Sequence, residues 1–446
     1  MKSKLIGTLA LLSLMLFSCQ VGTEISTMQN EEVSTLQAGE ENSLMSVNSN
    51  MGTKATDYVR IGKDDSITSG TSRALTASQP EMHYNWPDGS GEVTDSISSL
   101  HVPAGYEVIV YRYVDYKGEY RVFGPNSSTG SYYVLNKFSM TSDKDWSNKI
   151  SSLEIRTKVN VPSKLSWIKD NPSDSEFGDV NVNEVQGVAN DGNSWYICNM
   201  TRIYKCEKDN ITNVIGSTAT GDLPSTLRSY DHWGDLDFKN GNLYAPLYKQ
   251  DSNNRAVIVK YTRLLNYVGF AYFPSGVSSV SYVTVNPNTN LFYVADGPKK
   301  LKVYKGSFSA TGGSLTYCFT VDLDFGSLGH SDGSWWNDVW RQGGEFGDDN
   351  MFYYVLDHKS DEDSKFTGIY MFKIDGPKAS AKRFANIQYD PDTWYPFVGA
   401  KRRSELEGIT YWDLGSHSSY PGQVHALFLS LEADEDDAWL MHYKTK

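Results

Sequence analysis

The chain is poor in the features that announce a function. Its 446 residues hold only 4 cysteines, and beyond Cys19 there are Cys198, Cys206 and Cys318. That is too few for the disulfide framework of a small exported domain. In the hairpin 196–206 a two-residue turn pairs Cys198 with Ile203 rather than with Cys206, so these cysteines are expected as small apolar strand residues. Basic clusters are equally scarce: none is longer than Lys401-Arg402-Arg403, and the net charge is −13. Nucleic-acid binding is therefore disfavoured. After Phe17 no segment approaches the ~20 apolar residues of a spanning helix. No Gly-x-Ser-x-Gly elbow, His-Glu-x-x-His helix, P-loop or dinucleotide-binding glycine run occurs, so nucleophilic catalysis has no motif behind it.

What is present begins with an address. Lys2 and Lys4 precede a largely apolar run, Leu5–Phe17, and Leu16-Phe17-Ser18-Cys19 resembles a bacterial lipobox. The resemblance implies that residues 1–19 are a lipoprotein signal peptide and that Cys19 becomes the lipidated N-terminus. It places the chain in the bacterial cell envelope as an outer-membrane lipoprotein, its membrane contact made through the lipid anchor. Residues 20–55 carry no aromatic side chain, and Glu24, Glu31, Glu32, Glu40 and Glu41 stand among Ser, Thr, Asn and Gln. Such a composition predicts a disordered tether.

Residues 56–157 contain a repeat. Thr94-Asp95-Ser96-Ile97-Ser98-Ser99-Leu100 returns as Ser147-Asn148-Lys149-Ile150-Ser151-Ser152-Leu153. Between the copies, Tyr111-Arg112-Tyr113-Val114-Asp115-Tyr116-Lys117-Gly118 reads as an aromatic hairpin closed by glycine. The pattern resembles the Greek-key motif of the βγ-crystallin family, and implies two packed Greek keys with Tyr111, Tyr116 and Ile150 buried. In calcium-binding members, an Asn/Asp-Asn/Asp-x-x-Ser/Thr-Ser loop supplies hard oxygen ligands. By that resemblance Asp95 with Ser98, and Asn148 with Ser151, are the candidate calcium ligands. Thr94 and Ser147 replace the family's first acidic or amide residue, and the first hairpin keeps only a remnant of the aromatic pattern at Tyr58–Gly62. Without a metal, the same loops close turns by side-chain-to-backbone hydrogen bonds.

Residues 158–446 read as short strands separated by Gly, Asn, Asp and Ser turns, with a repeat near 48 residues. Tyr196, Tyr244 and Tyr293 mark corresponding strands in three units; two looser units include Met351–Leu356 and Gly408–Trp412. This period predicts an all-β protein in which the crystallin-like sandwich is followed by a five- or six-bladed β-propeller. A sixth unit would fall in residues 384–398, and residues 158–168 would close the ring with the last blade. The Glu407-Gly408-Ile409 element and its cousins are similar to the class of propellers that includes strictosidine synthase, regucalcin and phytase-like esterases.

Two candidate sites follow in this module. Aligned strand starts bring Gln186, Gly234-Asp235 and Glu407 to equivalent positions, with Glu184, His232 and Glu405 two residues before Gln186, Gly234 and Glu407. Side chains at i and i+2 share a strand face, so Glu184, Asp235, Glu405 and Glu407 are candidate ligands for an axial calcium, with His232 beside them. The resemblance to regucalcin-like enzymes implies metal-dependent ester or lactone hydrolysis there. The second site is Ser334-Trp335-Trp336-Asn337-Asp338-Val339-Trp340, where Trp335, Trp336 and Trp340 could stack on sugar rings or instead pack between blades. Two functions remain: a non-enzymatic envelope protein binding a carbohydrate or protein ligand, and a metal-dependent hydrolase of esters, lactones or phosphates.

Overall fold

The computed structural model describes residues 58–446 except 66, 68–71, 84, 87–89, 127, 164, 172–179, 181–183, 251, 330, 332, 359–366, 387–402, 432–435 and 446. The signal peptide, Cys19 and the tether lie outside the described residues. Residues Tyr58–Lys446 form one unit. Among the described residues there is no α-helix, only strands and 3₁₀ turns.

The first seven strands are β1 (Val59–Gly62), β2 (Ser72–Leu75), β3 (Ser99–Val102), β4 (Tyr106–Tyr113), β5 (Lys117–Phe123), β6 (Ser131–Val134) and β7 (Ser152–Thr157). They form two sheets, ordered β2-β1-β3-β6 and β5-β4-β7. The two Greek keys exchange strands. β6 of the second key pairs with β3 of the first, and Gln79 of the first bridges to Leu153 in the second. Tyr111, Tyr116 and Ile150 are buried. Gly118 has φ +82°, and a Cβ there would lie 2.5 Å from Tyr113 Cδ2, so the hairpin folds flat against its own aromatic ring. The Ser152 hydroxyl fastens it, donating to the Tyr113 carbonyl and accepting from the Tyr116 N–H. Ser99 does the same for the first key by donating to the Asp64 carbonyl at 2.6 Å.

β8 (Leu165–Asn171) leaves this module for the last blade. Four strands make blade I: β9 (Val185–Asn190), β10 (Ser194–Asn199), β11 (Arg202–Glu207) and β12 (Val214–Ala219). Blade II has an interrupted inner strand, β13 (His232–Trp233) and β14 (Asp237–Lys239), then β15 (Asn242–Tyr248), β16 (Val257–Thr262) and β17 (Tyr267–Tyr272). Blade III is β18 (Thr284–Val285), β19 (Phe292–Ala295), β20 (Lys300–Ser307) and β21 (Gly313–Asp324). Blade IV is β22 (Val339–Phe346), β23 (Met351–His358), β24 (Gly368–Asp375) and β25 (Lys378–Asn386). Blade V is β26 (Arg403–Gly415), β27 (Gly422–Leu431) and β28 (Asp436–Thr445), completed by β8, which pairs antiparallel with β28 from Leu440↔Asn171 to Thr445↔Leu165.

The repeated tyrosines occupy the second strands β10, β15 and β19, as their spacing requires. Among the described residues the ring has five blades. Phe384, placed by sequence in a possible sixth, belongs to β25 of blade IV. Gln342 of blade IV reaches Glu407 of blade V directly. In β10–β11, Cys198 is opposite Ile203, and Cys198, Cys206 and Cys318 are buried and free.

The two modules share a core. Ile109, Tyr111 and Tyr116 pack with Tyr293, Cys318, Phe319 and Ile374. Buried Arg156 bonds Glu107 at 2.9 Å, the Ile374 carbonyl at 2.6 Å and the Asp375 carboxylate. These contacts use the β24–β25 turn, and Asn350, just after β22, donates to the Thr157 carbonyl. The crystallin-like module thus sits at the end of the ring where the inner strands finish. The end where they begin is left to a different set of side chains.

Candidate functional site

Three blades reach the axis through glycine: Gly187, Gly343 and Gly408. Only blade II brings a carboxylate there. A Cβ on Gly343 would meet Asp235 Oδ2 at 2.7 Å, and one on Gly408 would meet Oδ1 at 2.6 Å. Asp235 fills the space these glycines leave. Its Oδ1 accepts the Val188 and Leu236 N–H groups at 2.9 and 3.0 Å, and its Oδ2 accepts the Ile409 N–H at 3.1 Å. Burial pushes this carboxyl up, while the three N–H groups favour its ionised form. The expectation of Asp235 as an open metal ligand is therefore corrected. Its oxygens serve the backbones of blades I, II and V, and it plugs the channel.

Above that plug, where the inner strands begin, side chains pair across blades. His232 Nε2 donates to Gln186 Oε1 at 2.8 Å, joining blades II and I. Gln342 Nε2 donates to Glu407 Oε2 at 2.9 Å, joining blades IV and V. Tyr248 lies against His232, the ring centroids 4.5 Å apart. Gln186, His232, Tyr248, Gln342 and Glu405 are half-buried, whereas Glu407 is buried.

The electrostatics are those of a partly buried polar rim. Burial lowers His232 to about 4, so its imidazole is neutral at physiological pH. Glu407 is pushed well above the usual carboxylate range by burial, by its hydrogen bond with Glu405 and by repulsion from Glu405, Asp357 and Asp235. Glu405 and Glu407 do project together, as the i, i+2 spacing implied, joined by a side-chain hydrogen bond.

The remaining candidates separate. Glu184 is exposed on a residue of φ 52°, ahead of β9. Trp335 and Trp336 are 2% and 8% exposed and pack edge-on at 4.7 Å in the core with Phe325 and Tyr370. Those two faces are spent on packing, which corrects their assignment as ligand platforms; Trp340 is half-buried at the start of β22. Among the described residues, no three His, Cys, Asp or Glu side chains group as a metal site. Two rim residues were missed, Gln342 and Tyr248. For Gln342 a signal existed: Gln342-Gly343 repeats Gln186-Gly187 and Glu407-Gly408.

In the crystallin-like module the paired loops interlock. Asp95 Oδ1 accepts the Ser151 hydroxyl at 2.9 Å, and the Ser98 hydroxyl donates to Asn148 Oδ1 at 3.2 Å. Asp95 and Asn148 adopt matching φ values of 54° and 58°. Ser151 Oγ also lies 2.7 Å from the Arg112 carbonyl, so its single proton is shared between the two acceptors. The buried Thr94 hydroxyl oxygen, next to Asp95, has no partner. An oxygen set of this kind suits calcium chemically, with a single carboxylate between the two loops.

No family model matches the sequence, and no curated protein matches it. Solved structures do resemble it. A βγ-crystallin domain from Flavobacterium johnsoniae is 24% identical over 24% of this chain and 100% of that one, with TM-score 0.18. A luciferin-regenerating enzyme is 10% identical, covering 83% of this chain and 94% of that one at TM-score 0.34. A GH43 protein from Bacillus licheniformis is 14% identical, covering 62% and 54% at TM-score 0.37. At such scores they add no weight to the strand pairing, which is the ground for the fold. By that pairing the chain is an all-β protein joining a double Greek-key, βγ-crystallin-like sandwich to a β-propeller.

Proposed function

We propose that this is a non-enzymatic binding protein of the bacterial cell envelope, carried on a lipid anchor at Cys19, whose propeller rim receives a hydroxylated ligand of the carbohydrate class. The observation that supports this most is the cross-blade pairing of Gln186 with His232 and of Gln342 with Glu407 at the end of the ring left free by the other module. Amide, neutral imidazole, phenol and carboxyl groups are donors and acceptors matched to sugar hydroxyls, and the half-buried Tyr248 ring adds an aromatic face. Calorimetric titration of envelope glycans against the full chain tests the reading. Saturable binding that Gln342→Ala weakens at least tenfold is expected; identical heats for the two proteins would reject the rim as the site.

The Glu405–Glu407 pair favours one competing reading, a hydrolase using acid–base chemistry. Asp235 cannot contribute an open ligand to such an enzyme, because backbone amides already occupy both of its oxygens.

We further propose that the Asp95–Ser151 and Ser98–Asn148 loops take calcium at the weak, extracellular-module end of the range, roughly 10⁻⁴–10⁻³ M. Millimolar calcium would then stabilise the fold by only ~0.4–1.4 kcal/mol. The intact chain is the proper sample, since Ile109 and Tyr111 are buried partly by the propeller. Thermal melts with calcium and with chelator should differ in the wild type and coincide in Asp95→Ala/Asn148→Ala. Coincidence in both would make the loops purely structural.

A further inference from the structure

Below the Asp235 plug, a second pair of carboxyl groups meets inside the ring. Asp237, on the inner strand of blade II, is 1% exposed, and Glu345, on that of blade IV, is 3% exposed. Asp237 Oδ2 accepts the Val285 N–H and, at 3.2 Å, the Thr284 hydroxyl, both from blade III. Thr284 Oγ1 in turn accepts the Phe346 N–H of blade IV at 3.3 Å. Lys239 Nζ stands 3.6 Å from Glu345 Oε1 and donates to the Phe346 carbonyl. Every polar atom in this knot is thereby engaged except two, Asp237 Oδ1 and Glu345 Oε2, which are buried without a donor.

Asp237 and Glu345 stand within hydrogen-bond reach of each other, and two buried acceptor-only oxygens cannot be left facing one another. Ionised, they would repel at close range in a medium of low dielectric. One lysine does not neutralise two carboxylates, and Asp235 lies near enough to add to the repulsion. A proton between them removes a charge and turns an acceptor pair into a hydrogen bond. We propose that one proton, held by Glu345 and donated to Asp237, is a structural part of the ring and clasps blades II, III and IV together.

The pH consequence follows from the groups that face the pair. Burial, then the Asp237 charge, raises Glu345 well above its ordinary range against the pull of Lys239. Burial raises Asp237 too, with Lys239, the Val285 N–H and Thr284 opposing. Lys239, which also senses Asp348, is desolvated but held up by Glu345 and Asp237. A carboxyl raised on folding contributes stability that is complete below its unfolded value, about 4.5, and drains away as pH rises through the folded value. The clasp should therefore loosen on the alkaline side.

The test compares the full-length wild type with Glu345→Gln, which keeps a donor toward Asp237 but cannot titrate. Urea denaturation from pH 5 to pH 9 should show wild-type stability falling relative to Glu345→Gln by at least tenfold in the unfolding constant. Infrared difference spectra between the two at neutral pH should contain a protonated carboxylic C=O band present only in the wild type. Parallel pH profiles, or no such band, would overturn the proposal. If Glu345→Gln fails to fold, Asp237→Asn takes the carboxylate acceptor away from the Glu345 proton, and the deuterium-sensitive carboxylic band must shift or vanish in it; an unchanged band would overturn the proposal.

Discussion

At the scale of single residues, the ring is organised around one carboxylate set against three glycines. Asp235→Asn would turn an acceptor into a donor facing backbone N–H groups. A loss of about 3 kcal/mol in urea denaturation is expected, because buried donors are left without an acceptor. A change below about 0.5 kcal/mol would show that the amides are not held by this carboxylate. The imidazole pair in blade V makes a second prediction. His425 Nε2–H donates to the Trp412 carbonyl at 2.9 Å, and its Nδ1 meets His442 Nδ1 at 2.6 Å, both rings fully buried. Burial lowers His425 to about 4. Since the unfolded value is about 6.5, the neutral ring contributes stability that is complete above pH 6.5 and lost as pH falls towards 4. At pH 5 the loss from this residue is about 2 kcal/mol. Denaturation at pH 7 and pH 5 measures it, and His425→Gln should reduce the difference.

Elements carry most of what was legible in the sequence. Tyr196, Tyr244 and Tyr293 repeat because each blade needs an aromatic at one place on its second strand, so a 48-residue period exposed the blades. The aromatic hairpin ending in Gly118 was equally readable, since a positive φ is a backbone demand that few residues meet. Gly118→Ala should cost about 2 kcal/mol from left-handed backbone and displacement of Tyr113. Equal melting of the variant and wild type would contradict that conformation. Blade number was less legible, because inner strands of two or three residues, such as β18 and β14, leave almost no alternation to read. The role of Asp235 was hidden for another reason. Blade II alone puts a carboxylate where blades I, IV and V put glycine, and one strand's sequence cannot show what the opposite blades lack. Trp335 and Trp336 looked like a sugar platform because stacking residues and core residues are the same residues.

For the whole molecule, Arg156 is the decisive contact between modules. It is buried between Glu107 and Asp375, with Lys373 3.3 Å from Glu107. Arg156→Met leaves both carboxylates short of a cation, and a cost of about 3 kcal/mol is expected. Amides of β4–β7 and β22–β25 should lose hydrogen-exchange protection together in that variant, because the modules share one core. Loss confined to β4–β7 would mean they unfold independently. With one end of the ring committed to this seam, the rim of Gln186, His232, Tyr248, Gln342 and Glu407 is the surface we propose for a ligand. The most direct test of that assignment is ligand-observed NMR of an envelope glycan mixture with the full-length protein, followed for hours in one tube. Saturation transfer to specific sugars, abolished by Gln342→Ala/Glu407→Ala and accompanied by no new signals, is the predicted result. Appearance of hydrolysis products, or transfer that survives the double substitution, would contradict it.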